Sequence, residues 1–117
     1  MEECIFCKIA RGEIPVTAVY ADDHVIAFDD ISPQAPVHTL VIPREHFADM
    51  SADIPGELMA ALFSAVREVA RRKGVVETGY RVIVNSGPDA NQTVPHLHVH
   101  VMGGKSMSHG MVAFAEE

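Results

Sequence analysis

At 117 residues, nearly half of them apolar, the chain is large enough for one packed core and too short for two ordinary domains. Its formal charge of −7 argues against a broad nucleic-acid-binding face, which needs clustered Lys and Arg. No apolar run approaches the roughly 18 residues of a membrane span, and MEECIFCKIARGE lacks the basic flank and apolar stretch of a signal peptide, so a soluble cytoplasmic protein is expected.

In chain order, CIFCKIARGE reads as a short helix ended by Gly12. Cys4 and Cys7 are too close in sequence to staple a domain, which leaves a redox pair, two inert buried thiols, or half of a zinc site completed by two histidines. A thioredoxin-like pair would follow a strand, and no strand can precede residue 4. VTAVYADDHVIAFDD predicts a hairpin around Ala21, Asp22 and Asp23, and DISPQAPVHTLVIPREHF a two-proline loop followed by a strand near His38 to Ile42 that stops at Pro43.

Residues 51–73 predict the long helix, with Leu58, Met59, Leu62, Phe63, Val66, Val69 and Ala70 at helical spacing, Ser51 or Asp53 as its cap and Gly74 just beyond. YRVIVN, residues 80–85, is a strand; SGPDANQT is a polar loop; a histidine-rich strand closes the sheet. Short connections favour antiparallel neighbours, so the expected fold is a single α+β domain with a meandering sheet of about five strands. A two-fold homodimer would cover its edges.

That last strand, PHLHVHVMGG, alternates His96, His98 and His100 with Leu97, Val99 and Val101. A strand sends the imidazoles to one face, about 6.5–7 Å apart, and the apolar residues into the core. Burying three rings with nothing to bind would leave ring nitrogens in need of partners. A single metal would require the outer rings, roughly 13–14 Å apart, to converge past the middle one. An anion suits the row better: His98 can face phosphorus as a nucleophile while His100 orients or stabilises it. Asn85, Gly87, Gln92 and Thr93 could donate to phosphate oxygens or to a leaving group.

The stretches CIFCKIARGEIP, AFDDISPQAPVHTLVIPREH, YRVIVNSG and NQTVPHLHVHVMGG, spanning residues 4–104, resemble histidine triad (HIT) proteins of the Hint type, small nucleotide phosphoramidases and hydrolases. The resemblance implies an α+β homodimer in which His98 attacks the α-phosphorus of a purine nucleoside monophosphate derivative, and water then hydrolyses the nucleotidyl-histidine, with no catalytic metal required. It places His100, Asn85, Gln92 and Thr93 around the phosphate, with Thr93 helping to protonate the leaving group, and His38 in support of the triad. Asp30 falls where ribose hydroxyls bind, and Phe6, Ile9, Ile14, Phe28 and Ile31 where the purine pocket is built. For several members it also implies a structural zinc, with ligands mapping to Cys4, Cys7, His46 and His96.

Two departures stand out: Asn91 occupies a position where glycine is usual, and the divergent tail, residues 104–117, lacks the Trp-Pro-Pro-Gly ending common in this branch. A dinucleoside polyphosphate hydrolase of a sister branch is disfavoured by the Hint-like GGK after the triad. A nucleotide-binding or partner-binding dimer would present the same binding residues.

Overall fold

The computed structural model describes residues 4–108; the tail beyond residue 108 lies outside the described residues. Helix α1 (Ile5–Ala10) is followed by strands β1 (Ala18–Ala21), β2 (Val25–Asp29) and β3 (Val37–Pro43), the long helix α2 (Gly56–Arg72), β4 (Tyr80–Val84), a 3₁₀ turn (Pro88–Ala90) and β5 (Val99–Gly103). All strand pairs are antiparallel, in the order β1-β2-β3-β5-β4. The order departs from a simple meander in one step. Because α2 carries the chain away from β3, the last strand enters between β3 and β4, and β4 takes the edge.

Burial explains that exchange. Val99 and Val101 of β5 are almost fully buried, whereas Tyr80 and Val82 of β4 are each 37% exposed. The strand with the more apolar face therefore takes the interior position. β2 and β3 are buried on both faces along most of their length, as their near-continuous apolar runs require. One face packs Val25, Ala27, Val41, Leu97, Val99 and Val101 under α2. The other packs Ile26, Phe28, Leu40 and Ile42 under Phe6, Cys7 and Ile9 of α1.

The long helix begins later than its apolar spacing predicts. Pro55 is the N-cap, and neither Ser51 nor Asp53 caps the helix. Residues 49–52 instead form their own turn, in which Asp49 Oδ1 accepts from the Ser51 amide and the Asp49 carbonyl from the Ala52 amide. Proline ends this turn because the residue before it is held extended, while Pro itself fits a helix start. Leu58, Leu62, Val66, Val69 and Ala70 are buried as expected, but Phe63 is 46% exposed. No helix among the described residues is long and apolar enough to cross a membrane.

The histidine row is also less regular than a full strand. Only His100 lies within β5; His96 and His98 precede the ladder, where the Leu97 amide donates to Phe47 O at 2.7 Å. The alternation of faces persists there, since Leu97 joins Val99 and Val101 beneath α2.

Candidate active site

The two cysteines and two of the histidines meet at the start of α1. Cys4 is the N-cap, its Sγ accepting from the Cys7 amide at 3.3 Å, so one helical turn brings both thiols together. Cys4 Sγ lies 3.3 Å from His96 Nδ1, Cys7 Sγ 3.2 Å from His46 Nδ1, and the two Nδ1 atoms 3.2 Å apart. His96 Nε2–H donates to Pro43 O at 3.0 Å, which leaves the Nδ1 lone pair facing the sulfurs. Burial lowers the His96 pKa to about 4 and raises that of the Cys7 thiol. Two thiols and two imidazoles whose ligand atoms all lie within 4.8 Å of one another match the composition of a tetrahedral Cys₂His₂ site.

The other histidines form a separate chain. The Gln34 amide donates to His38 Nδ1 at 2.9 Å, so the His38 proton sits on Nε2, 2.9 Å from His100 Nδ1. That bond in turn places the proton of neutral His100 on Nε2. Among the described residues, His100 Nε2 is a buried side-chain nitrogen with no hydrogen-bond partner. Burial lowers the His100 pKa to about 4, the neighbouring imidazoles adding to the effect and Asp30 opposing it. Asp30 Oδ2 stands 3.5 Å from His38 Nε2.

His98 sits between the two groups. Its Nδ1–H donates to the His96 carbonyl at 2.7 Å, which fixes the tautomer and leaves Nε2 with a lone pair. Phe6 packs edge-on against its ring, with centroids 5.2 Å apart, and the His100 ring lies 5.1 Å away on centroids. His96 does not share this surface: it is wholly buried and turned toward the thiols.

The polar loop before the row differs from its sequence reading. Gln92 Nε2 donates to both Ala48 O and Val94 O, and Gln92 Oε1 accepts from the Gly87 amide. The Gln92 and Gly87 donors expected for phosphate are therefore engaged in bracing the loop. Asn91 adopts the left-handed conformation at φ 61°, which Asn tolerates better than most residues, so the turn survives without glycine. Thr93 is exposed and Asn85 half-buried.

Of the expected purine-pocket residues, Phe6, Ile9 and Phe28 are core residues beneath α1, with Ile14 packed at their side. Ile31, by contrast, is 97% exposed on the loop between β2 and β3. On that loop Asp30 Oδ1 accepts from the Ser32 amide at 2.9 Å. Beyond His100 opens a cavity of about 500 Å³, lined in part by His38, Asn85, Arg81, Met102 and Lys105. Arg81 drew no attention as sequence, because an isolated basic residue carries no motif, and Lys105 was read only as part of the GGK after the triad. Alternation along β4 and β5 was the available signal: Arg81 pairs with Met102 and Ile83 with His100, on the same face of the sheet.

Comparison with known proteins agrees with this arrangement. The HIT domain family matches residues 11–107. An uncharacterized 13.2 kDa HIT-like protein of Azospirillum brasilense is 51% identical over 106 residues, covering 88% of this chain and 87% of that protein. A HIT family hydrolase from Clostridium thermocellum superposes with a TM-score of 0.90 at 43% identity, covering 96% of this chain and 99% of that one. A histidine triad nucleotide-binding protein from Candida albicans gives a TM-score of 0.85 at 32% identity, covering 98% and 87%. With its α+β fold, five-stranded antiparallel sheet and triad in place, the chain belongs to the HIT domain family.

Proposed function

We propose that the chain is a nucleotide hydrolase of the phosphoramidase kind, which releases a nucleoside monophosphate through a nucleotidyl-His98 intermediate. His98 carries the reading: with Nδ1–H held by the His96 carbonyl, its Nε2 lone pair is the one left to react. Beside it, the His100 Nε2–H, without a partner among the described residues, is a preset donor for a phosphate oxygen. The hydrolase and nucleotide-binding descriptions of the two solved relatives support the same reading.

In the first step the Nε2 lone pair forms a bond to the α-phosphorus, and the P–N bond breaks with its electrons on the departing nitrogen. That nitrogen takes a proton, a step in which Thr93 is assigned to help. Water then attacks phosphorus, releases a proton that replaces the one consumed, and frees the monophosphate and neutral His98. His38 is a positioning residue, holding His100 in the tautomer that donates. Asn85 lies at the phosphate, Asp30 takes the ribose hydroxyls, and Phe6, Ile9, Ile14, Phe28 and Ile31 flank a purine. Gln92 acts by bracing the loop.

Cys4, Cys7, His46 and His96 would hold a structural Zn²⁺, which ties α1 to the segments after β3 and before β5. A second copy of the chain covers the exposed Phe63, Val76, Tyr80 and Val82 and the free edge of β4, giving a homodimer. Light scattering should return twice the 12.7 kDa chain mass.

Activity is tested by incubating the protein with adenosine 5′-phosphoramidate and following AMP. Release is expected. Failure to turn over this and other phosphoramidates while AMP still binds would overturn the hydrolase reading in favour of a binding dimer.

A further inference from the structure

The first turn of α1 touches both groups of histidines. Cys4 caps the helix, Cys7 lies one turn on, and Phe6 stands between them. The cysteines fasten this turn to distant parts of the chain, with Cys4 Sγ 3.3 Å from His96 Nδ1 and Cys7 Sγ 3.2 Å from His46 Nδ1. Phe6 meets the reacting group: its ring packs edge-on against His98, with centroids 5.2 Å apart, and against His96 at 5.8 Å. A helix of six residues does not hold itself, so its seat depends on tertiary anchors such as these.

The same two sulfurs have a second option. Both are free thiols, they lie within 4.8 Å of each other, and a modest closing of the helical turn between them would bring them to bonding distance. With hydrogen peroxide as oxidant, one thiol takes an oxygen, becoming a sulfenic acid and releasing a water, and the other then bonds to that sulfur and releases a second water. The thiol protons leave in the waters; the sulfurs are oxidised as peroxide is reduced. A disulfide has no S–H to share with His46 and His96 and no thiolate for a metal, so both fastenings are lost at once. His46 is half-buried, which gives a small oxidant one open side to the cluster.

We propose that Cys4 and Cys7 form a peroxide-responsive redox switch, whose disulfide frees the first turn of α1 from His46 and His96 and shifts Phe6 against His98. The bond closes a loop of only four residues, Cys4 to Cys7, so it ties the turn to itself and not to the sheet. The effect on turnover rests on the hydrolase reading; the thiol chemistry does not.

In the test, reduced protein purified with zinc is treated with hydrogen peroxide, and alkylation of the two thiols in tryptic peptide 1–8, zinc release, AMP affinity and adenosine 5′-phosphoramidate turnover are followed. Both thiols should resist alkylation until dithiothreitol is added, zinc should be released, and AMP affinity and turnover should fall roughly tenfold. Dithiothreitol with zinc should restore them, which it cannot do for oxidised methionine. Chelation of the reduced protein leaves both thiols facing His46 and His96 and should lower turnover far less. Cys4→Asp can still donate to a metal but cannot form the disulfide, and peroxide should leave its turnover at its own untreated value. Thiols that stay reduced, a disulfide without change in AMP affinity and turnover, an equal loss on chelation alone, or an equal loss in Cys4→Asp would each overturn the switch. Reduced wild type that binds AMP without turnover would overturn the hydrolase reading alone, and AMP affinity then decides the switch.

Discussion

Two groups of histidines lie side by side in this molecule and differ in how their nitrogens are engaged. In the cluster at the start of α1, His96 gives Nε2–H to Pro43 O and turns Nδ1 to the thiols, so both of its nitrogens are accounted for inside the protein. In the chain from His38 to His100, the hydrogen bonds run outward from the Gln34 amide and end on a buried N–H that has no partner among the described residues. A closed set of donors suits a structural ion; an open-ended one suits a ligand oxygen. His98, locked by the His96 carbonyl, belongs to the open side although its anchor belongs to the closed one.

Substitution separates the two groups. The largest effect is expected from His98→Asn, whose side-chain amide can still donate to the His96 carbonyl: phosphoramidate turnover should fall by roughly 10⁴-fold or more with little change in Tm. Removing metal by chelation, or substituting Cys7→Ser, should produce the opposite pattern. Tm should fall by about 10 °C, and elemental analysis should drop from about one zinc per chain to none. A metal-free protein of unchanged stability would break the division.

His38→Phe should lower kcat by about 10- to 100-fold, because His100 loses the donor that sets its tautomer. His38→Gln keeps an N–H for that bond and should recover part of the loss, a rescue that a purely packing role would not predict.

The smallest expected effect is on stability against pH. His100 is held near pKa 4 in the folded chain, against an ordinary value near 6.5. Between these values the unfolded chain binds more protons, so stability declines as pH falls from about 6.5 toward 4. Wild type should therefore lose a few degrees more of Tm than His100→Gln between about pH 7 and 4.5.

Local features were the legible ones in the sequence. The alternation of residues 96–101 separates imidazoles from core residues because a strand's period is local, and the spacing of Leu58 to Ala70 marks the buried stripe of α2. The assignment of each nitrogen was hidden, because it depends on backbone groups with no side-chain identity: Pro43 O, the Gln34 amide and the His96 carbonyl. Gln92 resembled a phosphate donor until the nearness of Ala48 O and Val94 O occupied its amide. The place of β5 inside the sheet was likewise a consequence of long-range packing, and Pro55 set the start of α2 against the better capping residues before it.

The most direct test of His98 as the nucleophile is the intact mass of protein quenched rapidly after mixing with adenosine 5′-phosphoramidate, followed by peptide mapping. The account predicts an adenylyl adduct on His98 in wild type and none in His98→Asn. Turnover persisting in His98→Asn, or an adduct mapped to another residue, would contradict it.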